Sequence, residues 1–236
     1  MAAPSFSSTR AGYRNLWDKL VVNANDVSRT RKRAESILAD RWRYQIVEEA
    51  TGVPWFVIAV IHYRESTNDF AGVLHNGQKI IGTGRKTTLV PKGRGPFSAW
   101  EEAAIDALRF TGLDEIGEWP VERIGYELEG YNGWGYFGRI NSPYLWAGSN
   151  LYTKGKYVRD GVFDRSHVDK QLGTMTLLKQ LVAMDKEIAA RIEGEAPPPE
   201  PPPPPPPPPE PGGDDLPALI AKVKAVSGAK SVLLEW

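Results

Sequence analysis

An uninterrupted apolar segment occupies residues 54–63, where the sequence reads PWFVIAVIHY. A helix built from this segment is apolar on every side, and such a helix lies inside a protein rather than on its surface. Pro54 suits the first turn, because a missing amide hydrogen costs nothing at that position. We therefore predict a buried helix that begins near Pro54 and ends near Glu65.

Helical spacing of apolar residues predicts four further helices, over residues 27–50, 100–110, 121–130 and 166–191. Gly52 and Gly112 are expected to end the first two of these. Ser98 and Glu101 form a predicted capping box in front of the second helix. Ser166 is the predicted N-cap of the last one.

One β element is predicted among these helices. Asn76-Gly77 stands between Val73-Leu74 and Ile80-Ile81, and this arrangement is typical of a hairpin turn. The predicted fold is therefore mainly α, of an α+β type, with a helical core and one small β-hairpin.

The composition fits a single globular domain that is followed by a tail. The chain has 236 residues, of which 41% are hydrophobic and 25% charged. Thirteen prolines within residues 197–211 predict a stiff polyproline II spacer, on the order of 45 Å long. We predict a domain over residues 1–196, a rigid linker over 197–213 and a short amphipathic tail over 214–236.

The balance of charge excludes several function classes. Lys and Arg together number 29, as do Asp and Glu, so no net field attracts nucleic acid. There is no cysteine, which excludes disulfides and thiolate metal sites. No stretch of eighteen apolar residues is present, so no integral membrane segment is predicted.

Glu65 is the main candidate for chemistry. It ends the predicted buried helix, and the turn-favouring residues 66–69 follow it at once. Desolvation and the negative end of the helix dipole both disfavour a charged carboxylate there. A carboxyl group that stays protonated near neutral pH can act as a general acid. The alternative is a structural glutamate that pairs with a nearby arginine, for example Arg64.

A segment rich in aromatic residues and glycine is the main candidate for binding. It covers residues 128–136 and is followed by SPYLW at 142–146. Aromatic faces interleaved with Asn and backbone amides suit sugar rings, although the same aromatic residues also suit packing on the helices. We predict substrate contacts from this segment and from the ribbon, at Tyr131, Asn132, Trp134, Tyr136, His75, Asn76 and Gln78.

Other site motifs are not found. Residues 82–87 (GTGRKT) fail the spacing of a phosphate-binding loop, because Arg85 stands where glycine is required. His62, His75 and His167 show no i, i+4 pairing, so neither a metal nor a cofactor is predicted. His62 is expected to be a hydrogen-bonded core histidine.

The chain resembles the lysozyme-like superfamily, which includes goose-type lysozymes, soluble lytic transglycosylases and phage endolysins. The matching pieces are RES at 64–66, VLHNG at 73–77 and LEGYNG at 128–133. A group of bacterial and phage lysozyme-type proteins is more closely similar. It shares patterns that stand here at residues 74–77, 96–108, 131–136 and 142–161.

The resemblance implies that residues 1–196 form a catalytic domain that cleaves peptidoglycan glycan strands between N-acetylmuramic acid and N-acetylglucosamine. Glu65 would protonate the glycosidic oxygen, and the hairpin would lie beside the active-site cleft. Asp69 and Thr83 are candidates for a second catalytic group. Three outcomes stay open: a hydrolase (a muramidase of the endolysin type), a lytic transglycosylase that forms 1,6-anhydro products, and a non-catalytic peptidoglycan-binding module.

The first residues contain no apolar run typical of a signal peptide. We therefore expect synthesis in the cytoplasm. The protein is expected to be a monomer. Action on the cell wall would follow release, which depends on a holin if the protein is phage-encoded.

Overall fold

The computed structural model describes residues 3–159 and 161–193. The predicted linker at 197–213 and tail at 214–236 lie outside the described residues. The described helices are α1 (Phe6–Lys19), α2 (Val27–Ala39), α3 (Arg41–Thr51), α4 (Trp55–Ser66), α5 (Trp100–Thr111), α6 (Val121–Tyr131), α7 (Pro143–Trp146), α8 (Thr174–Met184) and α9 (Lys186–Glu193). The predicted fold class, mainly α with one small β-hairpin, is confirmed.

Helix α4 is the centre of the core. All nine residues from Trp55 to Tyr63 are buried, as the apolar run predicts. Helices α3 and α8 pack against α4, while α1 packs against α6. Burial of a side chain such as Phe56 or Ile58 contributes about 1.5–3 kcal/mol, so the position of α4 is strongly determined.

His62 shows how α4 places a polar group in this core. Its Nε2 lies 3.1 Å from the carbonyl oxygen of Asp69 and must be the donor there, because a carbonyl only accepts. Its Nδ1 then accepts from the Tyr44 hydroxyl at 3.0 Å. Burial lowers the pKa of His62 to about 3. His62 is therefore a neutral, hydrogen-bonded core histidine, as predicted.

The β-hairpin lies elsewhere than predicted. Strands β1 (Lys156–Arg159) and β2 (Val162–Asp164) form the two-stranded antiparallel sheet. Residues 72–81 instead form an irregular ribbon, in which one isolated antiparallel β-bridge joins Gly72 and Lys79. The ribbon packs its backbone against the end of α4, since a Cβ on Gly77 would lie 2.2 Å from the carbonyl oxygen of Glu65. This packing replaces regular strand pairing.

Two predicted helices are each divided in the structure. The predicted helix over 27–50 breaks at Asp40 into α2 and α3. In α3, Trp42 is 50% exposed, whereas Tyr44 is fully buried.

The predicted helix over 166–191 begins only at Thr174 and breaks at Asp185. Ser166 is not its N-cap, because the Asp164 carboxylate binds the Ser166 amide and hydroxyl in a turn. Gly173 then passes directly over Leu145, where a Cβ would lie 2.2 Å from the Leu145 carbonyl oxygen.

Helix ends elsewhere agree closely with the sequence. Gly52 and Gly112 end α3 and α5 in left-handed conformations. The capping carboxylate of α5 is that of Glu102 rather than Glu101: it accepts from the Ser98 amide at 2.9 Å. Helix α1, which the sequence did not predict, packs on α6 with the Tyr13 ring against Gly125.

Within the described ranges, no single helix is long and apolar enough to span a membrane. The pair α3–α4 reaches that length and composition together, but it bends by 113° at the junction.

Candidate active site

Glu65 lies in the last turn of α4, with its side chain surrounded by protein but partly open to solvent. The Tyr144 hydroxyl donates a hydrogen bond of 2.9 Å to its Oε1. Burial raises the pKa of Glu65 to about 6, although the hydrogen bond from Tyr144 and the charge of Arg64 act in the opposite direction. The carboxyl is therefore largely protonated below this pH, and its Oε2 is left to carry the proton.

Arg64 does not pair with Glu65. Its guanidinium binds the Asp169 carboxylate at 3.0 Å and the carbonyl oxygen of Leu172 at 3.2 Å. The same guanidinium lies 4.9 Å from the centre of the Tyr144 ring.

Burial alone raises the pKa of Asp169, but Arg64, the Gln171 amide and Lys156 together outweigh it and the net pKa is lowered. Asp169, which also pairs with Lys156 at 3.1 Å, thus offsets part of the positive charge of Arg64 that lowers the pKa of Glu65.

Tyr131 connects helix α6 to the ribbon beside Glu65. Its hydroxyl donates to the carbonyl oxygen of Leu74 at 2.7 Å. Burial, together with the charge of Glu65, raises the pKa of Tyr131 well above its usual value. Two phenols with raised pKa values therefore interact with the Glu65 carboxyl group, Tyr144 through a hydrogen bond and Tyr131 through its electrostatic field.

A cavity of about 420 Å³ adjoins this carboxyl, and we call it the candidate cleft. Arg64 and Tyr144 belong to its lining, so Glu65 adjoins the cleft through these side chains rather than lining it directly. The other lining side chains include Asn132, Tyr136, Lys156, Tyr157 and Arg159.

Strand β1 forms one wall of the candidate cleft. The Tyr157 amide donates to the Tyr136 hydroxyl at 2.9 Å, and the Tyr157 hydroxyl donates to the carbonyl oxygen of Gly135 at 3.2 Å. These two bonds hold the aromatic loop and the hairpin together as one surface.

The predicted substrate-binding residues divide into two groups. Asn132 and Tyr136 line the candidate cleft, and Tyr131 lies next to Glu65. Trp134 lies outside that lining and packs on the ring of Tyr126, with centroids 4.8 Å apart.

The three predicted ribbon residues hold the ribbon in place. The His75 side chain is fully buried, and its Nε2 lies 2.9 Å from Asp106. The Asn76 amide donates to the carbonyl oxygens of Leu89 and Val90. The Gln78 side chain accepts from the amides of residues 88 and 89 and donates to the Thr88 hydroxyl. His75 Nδ1 is buried without a hydrogen-bond partner among the described residues, and the other polar side-chain atoms named here bind the protein itself.

The two candidates for a second catalytic group also have partners. The Asp69 carboxylate pairs with Lys79 at 2.7 Å and accepts from the Ala71 amide at 2.9 Å. The hydrogen bond with Lys79 lowers the pKa of Asp69. Thr83 is exposed, and its hydroxyl donates to the carbonyl oxygen of Ile80 at 2.7 Å.

Sequence reasoning gave no role to three residues that organise this site. Tyr144 stands in the aromatic segment at 142–146, and no sequence pattern points to Asp169 or Tyr157. Their partners lie far away along the chain: Tyr144 is 79 positions from Glu65, and Asp169 is 105 from Arg64. No local sequence pattern predicts that Glu65 pairs with Tyr144 or that Arg64 pairs with Asp169.

Among residues 3–159 and 161–193, no group of three or more potential ligands is arranged to hold a metal ion. Comparison with known proteins finds no matching family model, no significantly similar curated protein and no significantly similar solved structure.

Proposed function

We propose that the protein is a peptidoglycan-degrading glycosidase, a muramidase of the endolysin type, with Glu65 as its general acid. The observation that supports this most strongly is the environment of Glu65. Burial raises its pKa to about 6, Tyr144 orients it, and Asp169 engages the neighbouring arginine. A structural glutamate would be expected to pair with Arg64 itself.

The proposed reaction begins with the proton on Glu65. This proton passes to the oxygen between N-acetylmuramic acid and N-acetylglucosamine while the bond from that oxygen to the anomeric carbon breaks. The hydrogen bond from Tyr144 stabilises the carboxylate that forms. A water molecule then adds to the anomeric carbon and returns one proton to Glu65, which restores the acid.

The candidate cleft has the chemistry that a glycan strand requires. Rings of Tyr136, Tyr144 and Tyr157 provide flat apolar faces, and Asn132 provides an amide donor and acceptor.

The lining cations Arg64, Lys156 and Arg159 outnumber the lining carboxylate of Asp169, which pairs with Arg64 and Lys156. This excess of positive charge suits the carboxylates of stem peptides. The cleft volume of about 420 Å³ lies within the range typical of small-ligand sites.

A lytic transglycosylase is the second candidate, and the state of Asp69 favours it. A hydrolase of the usual kind needs a second carboxylate about 5 Å or roughly 6.5–9.5 Å from the first. Asp69 is the acidic residue closest to Glu65 along the chain after the helix, and its carboxylate is bound to Lys79 and Ala71. In this second reaction the 6-hydroxyl of the muramic acid attacks the anomeric carbon, and its proton goes to Glu65.

Mass spectrometry of the fragments released from purified peptidoglycan tests both candidates. Fragments that end in a reducing N-acetylmuramic acid support the muramidase, and 1,6-anhydro ends support the transglycosylase. If the protein binds peptidoglycan but releases no glycan fragments, both reactions are contradicted and the function is that of a binding module.

A further inference from the structure

A second cavity, of about 480 Å³, lies between α1 and the loop of residues 137–142. It shares no lining residue with the candidate cleft. Tyr13, Leu16, Phe137, Ile140 and Trp146 supply its apolar and aromatic wall.

Three buried polar groups in this cavity have no hydrogen-bond partner among the described residues. They are the hydroxyl of Tyr13, Oε1 of Glu129 and the hydroxyl of Ser142. Their residues are 6%, 4% and 1% exposed. Ser142 lies close enough to Glu129 to lower the pKa of that carboxyl, so these two groups interact weakly, whereas the Tyr13 hydroxyl has no partner in the described part of the chain. Buried polar groups are nearly always fully paired, so these groups in one cavity indicate a site that binds a polar ligand.

The polar groups of this cavity favour a ligand without a full charge. Burial raises the pKa of Glu129 to about 7, with the weak interaction of Ser142 acting in the opposite direction, so about half of these carboxyls are neutral at pH 7. Burial and the nearby Glu129 raise the pKa of Tyr13 above its usual value, which keeps the phenol neutral. Arg139 also belongs to the lining, but its guanidinium lies 5.0 Å from the centre of the Phe163 ring.

From these observations we propose that the cavity binds one end or one residue of a glycan, a neutral ring of the N-acetylhexosamine class. Hydroxyl and acetamide groups would satisfy Tyr13, Glu129 and Ser142, while the C–H face of the sugar lies on the aromatic wall. The choice of a glycan draws on the proposed function, whereas the cavity and its unpaired groups do not. The site would hold the strand at a distance from Glu65.

A larger side chain at Gly12 is expected to block this cavity. Gly12 lines the cavity within α1, and a Cβ at this position would meet nothing within 4 Å. Gly12→Leu therefore has room at its Cβ and adds side-chain volume at the cavity wall. Gly12→Ala is the matched control, because it makes the same helix-favouring change with little added volume.

The experiment is an NMR titration of the full chain with the neutral trisaccharide chitotriose. All proteins carry Glu65→Gln, so that the probe is not cleaved. We expect amide shifts near Gly12 and at residues 138–142, binding at least about tenfold weaker in Gly12→Leu, and unchanged binding in Gly12→Ala. Tyr13→Phe is expected to weaken binding about three- to tenfold through one lost hydrogen bond.

Shifts confined to the candidate cleft would overturn the proposal, as would shifts near Gly12 that Gly12→Leu leaves unchanged. The experiment distinguishes failure of this site from failure of the proposed function. If the wild-type chain cleaves no glycan strands but chitotriose still binds near Gly12, the second site stands alone. Cleavage without binding near Gly12 would support the reaction and remove this site.

Discussion

The Tyr144 hydroxyl donates a 2.9 Å hydrogen bond to the Glu65 carboxyl across 79 positions of the chain. This bond fixes one oxygen of the carboxyl and leaves the other free to hold a proton. Tyr144 also lines the candidate cleft, so the same residue connects the acid with the space that would hold a substrate.

The first prediction concerns the pH dependence of the reaction. Glu65 is active as an acid only while protonated, and its pKa is raised to about 6. We expect kcat/KM to be nearly constant well below pH 6, to be halved near pH 6 and to fall about tenfold per pH unit well above it. Rates of peptidoglycan solubilisation across pH 4–8 measure this profile. A profile that rises from pH 6 to 8 would contradict the assignment of Glu65 as the acid.

The second prediction concerns Tyr144→Phe. Its hydrogen bond lowers the pKa of Glu65, so removal of the hydroxyl raises that pKa and moves the falling limb to higher pH. The lost orientation is expected to reduce kcat roughly tenfold. Tyr126→Phe removes a hydroxyl that instead donates to the carbonyl oxygen of Pro4, and it should leave the pH profile unchanged. Equal profiles for the two variants would exclude a positioning role for Tyr144.

The third prediction concerns Asp169→Asn. The pair of Arg64 and Asp169 is almost fully buried, with side chains 7% and 2% exposed, so its loss is expected to cost roughly 3 kcal/mol of the free energy of unfolding. Arg64 then acts on Glu65 without a counter-charge, lowers its pKa and moves the falling limb to lower pH.

The control for this variant is Asp185→Asn, which breaks a pair with Arg41 at 3.1 Å. It is expected to reduce stability without moving the pH profile. Chemical denaturation and the pH–rate profile measure the two effects separately. An unchanged profile in Asp169→Asn would show that Asp169 does not control the charge near Glu65.

The fourth prediction compares two glycines with similar backbone angles. Gly77 and Gly82 have φ values of +73° and +69°. A Cβ on Gly77 would lie 2.2 Å from the carbonyl oxygen of Glu65, whereas one on Gly82 meets nothing within 4 Å. Gly82→Ala should cost about 1 kcal/mol of stability, and Gly77→Ala roughly 3 kcal/mol or more with reduced activity. Similar losses in both variants would mean that the ribbon does not support Glu65.

The sequence predicts the helical core well where the reasons are local. The all-apolar segment at 54–63 required burial, and Gly52 and Gly112 end their helices because a left-handed residue is needed there. The placement of Glu65 at the end of α4 follows from the same local pattern.

The sequence does not predict features that depend on distant contacts. Asn76-Gly77 has the composition of a hairpin turn. In the structure Gly77 packs on Glu65 and Asn76 binds residues 89–90, and the flanking residues form no regular strands. Residues 166–173 have a helical apolar pattern, but the close approach of Gly173 to Leu145 holds the chain away from a helix. Tyr144 and Asp169 reach the end of α4 only through the fold. Single-residue patterns contain no information about such pairs.

The most direct test of the central claim is the amount of glycan fragments released from purified peptidoglycan by three proteins. These are the wild-type chain, Glu65→Gln, and the control Glu118→Gln, which changes an exposed glutamate. We predict that Glu65→Gln melts like the wild type and releases at least about 100-fold less product, while Glu118→Gln is unaffected. Equal release by all three proteins would contradict the role of Glu65 as the proton donor.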